Sequence, residues 1–380
     1  MIKIALIGST GSIGRQVVNT VRRYKDKFRI VSLAAKSSVD VLQSQLEEFR
    51  PEVVALADPE KAVGIKELPE GVFLYAGENA FRHAITEDCD VVFVAVSGFA
   101  GLAPTLEAIE AGKTVALANK ESLVVGGEIV MRRAKEKGVN IIPVDSEHSA
   151  VFQCLGFGKD RPFNKIILTA SGGAFRDFGR EEIKGLKASA ALKHPNWLMG
   201  KKITIDCATM LNKGLEVIEA CRLYDAPIDK VSAVVHPESV IHSMVEFCDG
   251  AVMAQLGFPS MEIPIQLALT YPERYPTNVP FLSFEDMTLH FRKIDEDRFP
   301  CFRLATDSYM EGDNYPCAMN AANEVAVEAY LKDEIGFYDI NKTIAETLAK
   351  TVRQKPTYEN LIGTDLRSRR IASEIIGSLK

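Results

Sequence analysis

Six short runs in the first 145 residues are almost wholly apolar: KIALIG, FRIVSLAA, VVALAD, VVFVAVS, TVALAN and NIIPVD. Helix-compatible segments such as IGRQVVNTVRRY and LAPTLEAIEAG alternate with them. A strand with one wet face alternates apolar and polar residues. A strand that is apolar at nearly every position is buried on both faces, as in a parallel sheet covered by helices on two sides. The alternation therefore predicts an α/β fold whose first part is a doubly wound parallel sheet with right-handed crossovers.

The turn after the first run points to what such a sheet would bind. Gly8-Ser9-Thr10-Gly11-Ser12-Ile13-Gly14 follows a strand and opens a helix. The glycines permit a tight turn and close backbone approach to a pyrophosphate, and the helix N-terminus supplies N–H groups and partial positive charge. The spacing is G-x-x-G-x-x-G rather than G-x-G-x-x-G, with Ser9 or Thr10 where a middle glycine would stand. A purely structural βα turn would leave the density of small hydroxyl residues unexplained. An NAD site usually ends its second strand with an acid on the ribose hydroxyls. Here FRIVSLAA runs into Lys36-Ser37-Ser38, with no acid before Asp40. A lysine and two hydroxyls suit a 2′-phosphate, which predicts NADPH.

The chain has 380 residues, room for two or three domains. Beyond Asp145, KIILTASGG, KITIDCAT, VSAVVHP and GAVMAQLG read as strands mixed with helix candidates such as MLNKGLEVIEACRLY. Residues 271–298 are rich in proline and charge and read as a linker. After Pro300, CFRLATDSYMEG, CAMNAANEVAVEAYLK, INKTIAETLAKTV and RSRRIASEIIGSL predict a four-helix bundle. The expected organisation is a Rossmann-like domain over 1–145, a central α/β catalytic domain over 146–270, the linker over 271–298 and the bundle over 299–380.

Composition excludes several classes. The net charge of −6 argues against broad electrostatic binding of nucleic acid. No apolar run approaches the roughly 18 residues of a membrane span. MIKIALIGSTGSIG lacks a basic n-region and a small-residue cleavage site, so a cytoplasmic location is expected. The seven cysteines are scattered without a C-x-x-C pair, as reduced thiols would be.

A second constellation concerns carboxylates. NIIPVD ends in Asp145-Ser146-Glu147-His148. In extended chain, residues i and i+2 project to the same side, so Asp145 and Glu147 can converge on one cation beyond the carboxyl end of a strand. Oxygen donors with open coordination positions suit Mg²⁺ or Mn²⁺, although such acid pairs also cap helices. Further along, Glu216 lies one helical turn past Asn212. Asn212 and Lys213 are natural phosphate partners, Ser171-Gly172-Gly173 reads as a backbone anion nest, and Lys120 adds positive charge at another strand end.

Together these segments resemble the 1-deoxy-D-xylulose 5-phosphate reductoisomerases, essentially end to end. The carriers are GSTGSIG (8–14), ANKES (118–122), DSEHSA (145–150), TASGGAF (169–175), HPNWLMGKKITID (194–206), MLNKGLE (210–216), HPESVIHSM (236–244) and NAANE (320–324). The resemblance implies an NADPH-dependent oxidoreductase of non-mevalonate isoprenoid biosynthesis. It would rearrange 1-deoxy-D-xylulose 5-phosphate and reduce it to 2-C-methyl-D-erythritol 4-phosphate. The resemblance makes Asp145, Glu147 and Glu216 ligands of Mg²⁺ or Mn²⁺, with Co²⁺ also admitted. Lys120 and Ser146 would contact substrate oxygens, with Lys120 also near the nicotinamide. Ser171, Asn212 and Lys213 would hold the phosphate, together with Cys207. His194, Trp197 and Met199 would belong to a flap over the substrate. Asn119, Glu121 and Gly200 join the cofactor residues, and a homodimer is implied.

Two departures stand out. The family typically has serine where this chain has Cys207, and its basic residue near the 2′-phosphate appears one place earlier, as Lys36. His242 reads equally well as a packed structural residue, and the lone Trp197 as a half-buried core aromatic. Two rival functions remain open. Cys154 or Cys207 could form a thioester in a semialdehyde dehydrogenase, or a retained dinucleotide domain could serve as a non-enzymatic sensor.

Overall fold

The structure is a computed structural model that describes residues 1–156, 162–192 and 199–379. The chain divides into two compact units, one comprising 1–122, 130–146 and 261–279, the other 123–129, 147–260 and 280–380.

The first unit is built on the expected sheet. Its strands are β1 (Ile2–Ile7), β2 (Phe28–Ala35), β3 (Val53–Leu56), β4 (Phe73–Ala76), β5 (Val91–Val94), β6 (Thr114–Leu117) and β7 (Ile141–Pro143). They pair in parallel in the order β4-β3-β2-β1-β5-β6-β7. The central strands β3 and β5 are buried at every position, as their unbroken apolar sequence requires. Strand β4 escaped the sequence reading because it is a short edge strand with an exposed Phe73, so FLYA lacks the apolar continuity of its neighbours. The order of strands reverses between β1 and β5, which creates the crevice beyond their carboxyl ends where open α/β sheets bind ligands.

Helix α1 (Ser12–Arg23) follows β1, and α2 (Lys120–Lys137) and α3 (Ser146–Cys154) follow the carboxyl ends of β6 and β7. The second unit holds a four-stranded sheet of β8 (Phe163–Ala170), β9 (Val231–Val235), β10 (Ile241–Phe247) and β11 (Val252–Leu256), in the order β11-β10-β8-β9. Strand β10 is antiparallel to both neighbours, and β8 is parallel to β9.

The helices that frame this sheet are α4 (Lys201–Ala208) and α5 (Leu211–Leu223). Helix α4 corrects the reading of KITIDCAT as a strand. Ile203 and Ile205 mimic a two-residue period, but burial falls on Thr204, Ile205, Asp206 and Ala208, which is no alternation, and Lys202 pairs with Asp206 across one turn at 2.8 Å. Conversely, IHSMVEF forms the central strand β10, whose buried His242 and Ser243 hid it from a search for apolar runs.

Helix α6 (Glu262–Thr270) belongs to the first unit and packs on α1. An ion pair between Arg23 and Glu262, and a hydrogen bond from Tyr24 Oη to the Pro276 carbonyl at 2.5 Å, hold the returning segment there. The boundaries expected at 270 and 298 are thus displaced. A returning segment has no compositional mark, because only its long-range partners define it.

The C-terminal helices are α7 (Cys301–Glu311), α8 (Tyr315–Leu331), α9 (Phe337–Ala349) and α10 (Tyr358–Leu379). They share one apolar core with α5: Leu215 and Ile218 cluster with Ala305, Met319, Tyr330 and Phe337. Helix α5 approaches α7 so closely that a Cβ on Gly214 would lie 2.5 Å from the Ala305 Cβ. The bundle is therefore continuous with the central sheet's helices rather than a separate body.

Candidate active site

In the first unit the glycine turn fits tightly into the crevice between β1 and β5. Gly8 has φ +93°, and a Cβ there would meet the Ala95 carbonyl carbon at 2.7 Å. A Cβ on Gly14 would lie 2.2 Å from the Gly8 carbonyl oxygen. Both positions demand glycine on steric grounds. Gly11 caps α1, whose first turn carries no acid, so the positive end of the helix dipole is left for an anion. Ser9 is fully buried, and its Oγ has no hydrogen-bond partner among the described residues. A buried hydroxyl in that condition matches a site shaped for a ligand's oxygens. Thr10 lies in the turn, Ser12 and Ile13 open the first turn of α1, and Lys36, Ser37 and Ser38 are exposed just past β2.

The ends of β6 and β7 carry the next pair. Lys120 Nζ lies 2.5 Å from Asp145 Oδ2, with both side chains largely buried. Asn119 caps α2 through its Oδ1, which accepts from the Ser122 N–H at 2.9 Å. Its amide donates to the Val96 and Gly98 carbonyls and to Glu121, each at 3.0 Å. The Asn119 side chain is therefore committed to holding the loop that follows β5.

In the second unit, α5 is buried along nearly its whole length, yet carries Asn212, Lys213, Glu216 and Glu219. Buried charges persist only when paired. Lys213 Nζ lies 2.7 Å from Glu147 Oε1 and also contacts Glu216, which accepts from Asn212 as well. Glu147 and Glu216 each offer an oxygen within 4.8 Å of the other. Burial alone would lower the Lys213 ammonium, but the two carboxylates outweigh it and hold it above its ordinary value of 10.5. The helix is preceded by Met210, a non-glycine residue at φ 61°, a strained conformation of the kind found where a site is held in place by its surroundings.

His148 locks α3 to α5. Its Nε2 lies 2.9 Å from the Glu216 carbonyl and its Nδ1 3.2 Å from Glu219, while Tyr224 Oη donates to the His148 carbonyl at 2.6 Å. Ser146 is half-buried at the start of α3.

The turn at Ser171-Gly172-Gly173 is tightly built. Gly173 has φ +69°, and a Cβ there would meet the Cys207 carbonyl oxygen at 2.4 Å, so the Ser171–Gly173 loop packs directly on the last turn of α4. Ser171 Oγ accepts from the Gly173 N–H at 3.3 Å. Arg176 donates to the Ser171 carbonyl at 3.0 Å, and Arg298 donates to the Arg176 and Phe178 carbonyls at 3.0 and 2.8 Å. Neither arginine was legible as a site residue, since each acts through backbone carbonyls. The same holds for Gln45, which donates to the Ser9 carbonyl at 3.0 Å across 36 positions. Met199 and Gly200 stand at the start of α4, whereas His194 and Trp197 lie outside the described residues. His242 is buried, which lowers its imidazole while Glu147 acts in the opposite direction.

The cysteine rival meets two obstacles. Burial pushes the Cys154 thiol up to about 11, so it is protonated at neutral pH and a poor nucleophile. Cys207 sits in the last turn of α4, the negative end of the helix, where a thiolate is disfavoured.

Comparison with known proteins covers most of the chain. The profile of the 1-deoxy-D-xylulose 5-phosphate reductoisomerase family matches residues 4–127, that of its C-terminal domain matches 141–224, and that of the DXP reductoisomerase C-terminal domain matches 256–371. The 1-deoxy-D-xylulose 5-phosphate reductoisomerase of Caldanaerobacter subterraneus subsp. tengcongensis is 48% identical over 373 residues, covering 97% of this chain and 98% of that protein. The Zymomonas mobilis enzyme in complex with NADPH superimposes with a TM-score of 0.92 at 39% identity, covering 100% of both chains. A DOX-P reductoisomerase in complex with NADPH, fosmidomycin and magnesium gives 0.91 at 37% identity, over 99% of this chain and 98% of that one. With the fold shared and identity sustained from end to end, the chain belongs to the 1-deoxy-D-xylulose 5-phosphate reductoisomerase family.

Proposed function

We infer that the protein converts 1-deoxy-D-xylulose 5-phosphate to 2-C-methyl-D-erythritol 4-phosphate, using NADPH and a divalent metal ion, in isoprenoid precursor synthesis. The observation that carries this reading is the buried Glu147–Lys213–Glu216 cluster. It consists of oxygen donors with one ammonium between them, two residues beyond Asp145, on a chain that matches the family throughout.

The donor set fits a hard cation. Asp145, Glu147 and Glu216 would hold Mg²⁺, Mn²⁺ or Co²⁺, and such an ion, when bound, supplies Lewis-acid polarisation of the substrate's oxygens. NADPH supplies the hydride. The remaining work falls to the chain. The glycine turn and the α1 N-terminus receive the pyrophosphate, with Ser9, Thr10, Gly11, Ser12 and Ile13 lining it. Lys36, Ser37 and Ser38 meet the 2′-phosphate, and Asn119 and Glu121 fix the loop beside it, with Gly200 completing the cofactor set. Lys120 and Ser146 orient the reacting oxygens. Ser171, Cys207, Asn212 and Lys213 hold the phosphate, which is remote from the reacting carbons. Its binding energy can therefore be used to exclude water from the reacting carbons.

The direct test follows NADPH absorbance after adding 1-deoxy-D-xylulose 5-phosphate and Mg²⁺ or Mn²⁺ to the folded protein. Constant absorbance overturns the reading. Cys207 offers a sharper check. A thiol is a weak donor, so Cys207→Ser should lower KM for the substrate by up to about tenfold, the scale of one hydrogen bond to a charged group. A thioester mechanism through Cys207 requires the opposite, complete loss of turnover.

We further propose a cytoplasmic homodimer. All seven cysteines are thiols rather than disulfides, and among the described residues no helix is long and apolar enough to cross a membrane. Strand β11 is a sheet edge that exposes Val252 and Met253, and Phe281, Phe284 and Phe291 are exposed in the same unit. An uncovered edge with apolar side chains suits a second copy. Sedimentation should give twice the chain mass, and Met253→Asp should shift it toward the monomer; a monomeric wild type excludes the assembly.

A further inference from the structure

Helix α8 carries Asn320-Ala321-Ala322-Asn323-Glu324, a segment to which the roles above give no task. Asn320 and Asn323 are both fully buried. A buried amide is costly unless its hydrogen bonds are made, so the partners show what each asparagine is for. Asn320 donates to Glu324 Oε1 at 3.0 Å, and Glu324 pairs with Arg369 of α10 at 2.5 Å. Those contacts stay within the helical bundle. Asn323 reaches out of it: its Nδ2 donates to Asp206 Oδ1 at 2.9 Å, across 117 positions, onto α4.

Asp206 is 1% exposed, and its second oxygen takes Lys202 Nζ at 2.8 Å. Ile205 and Ala208 add apolar contacts in the shared core. Apolar contact is non-directional and by itself sets a helix's register less sharply than a hydrogen bond does. A buried hydrogen bond to a carboxylate is directional and strong. The residue next to Asp206 is Cys207, and its backbone is the surface on which the Ser171–Gly173 nest rests.

We propose that Asn323 is a positioning residue for substrate phosphate: through Asp206 it fixes the setting of α4, and with it Cys207 and the anion nest packed against it. The inference rests on the functional reading above, in which those residues hold the phosphate.

Asn323→Ala should raise KM for 1-deoxy-D-xylulose 5-phosphate roughly tenfold, the scale of one charge-assisted hydrogen bond, with KM for NADPH unchanged. Asn323→Asp, which sets two carboxylates face to face, should raise it further. The exchange D206N/N323D restores a donor opposite an acceptor and should bring KM back below that of Asn323→Asp. A merely structural role would lower the active fraction, hence kcat, and leave both KM values in place. Unchanged KM in Asn323→Ala, or no recovery in the exchange, overturns the inference while the function stands. A folded wild type that does not consume NADPH with this substrate overturns the function and the inference with it. Should Asn323→Asp not fold, Asn323→Ala decides alone.

Discussion

Glu216→Gln is expected to reduce metal-dependent turnover by roughly 10³-fold or more while NADPH affinity stays within about twofold, since the Lewis acid is asked to supply several kcal/mol of barrier reduction. The substitution is nearly isosteric, so Asn212 can still donate to the side-chain oxygen and α5 keeps its packing. It removes one negative charge from the cluster shared with Glu147 and Lys213. A neutral amide is a weak ligand for a hard cation, and the remaining carboxylates would hold the ion loosely, if at all. The glycine turn of the first unit contains none of these groups, which is why cofactor affinity should be spared. Steady-state kinetics over a Mg²⁺ titration, with NADPH binding measured by fluorescence, separates the two. Turnover retained at wild-type level would remove Glu216 from the metal site.

The parts of the fold that could be read ahead of the structure were those set by local pattern. Strands buried on both faces betray themselves because every residue must be apolar, and the glycine turn because Gly8 and Gly14 have backbone where any other side chain would be. The four C-terminal helices kept their apolar period. Four features escaped, the first of them strand β10, whose buried His242 and Ser243 interrupt its apolar run. Strand β4 lies at an edge and has no continuous apolar run. The KITIDCAT segment has an alternation that its helical ion pair Lys202–Asp206 overrules. Helix α6 returns to the first unit through an Arg23–Glu262 pair separated by 239 positions, and no window along the sequence contains both.

The candidate site divides along the same line. Groups that act with their own side chains, such as Asp145, Glu147, Lys213 and Glu216, belong to residue types and spacings with a chemical meaning. Groups that act through another residue, such as Arg176 on the Ser171 carbonyl, Gln45 on the Ser9 carbonyl and Asn323 on Asp206, leave no local signature. His148 is intermediate. It stands inside a motif, yet its work is to fasten α3 to the Glu216 carbonyl, which only the folded chain reveals.

Lys213→Met should make the stability of the protein depend on the metal. Lys213 is 3% exposed and is the cation that both Glu147 and Glu216 contact. Its ammonium is held above its ordinary value, so its contribution is complete at every pH below 10.5 and is lost only as pH rises through the higher folded value. Physiological pH therefore never titrates it, and only mutation removes it. Methionine fills much of the same volume without charge, leaving two carboxylates whose oxygens lie within 4.8 Å of each other with no ammonium between them. Breaking a buried pair by removing one partner typically costs about 3–5 kcal/mol. In chelator the variant should unfold several degrees below the wild type. Like charges raise each other's proton affinity, so lowering the pH should narrow that gap by neutralising one carboxylate. Saturating Mg²⁺ should narrow it too, because the ion balances the same charges. Turnover should not return with stability if Lys213 holds the phosphate as proposed, and KM for the substrate should then stay raised by about tenfold or more. Thermal unfolding in chelator and in Mg²⁺, each at two pH values, measures the first effect, and kinetics at saturating Mg²⁺ measures the second. A variant equally stable with and without Mg²⁺ would show that Glu147 and Glu216 do not meet on the ion.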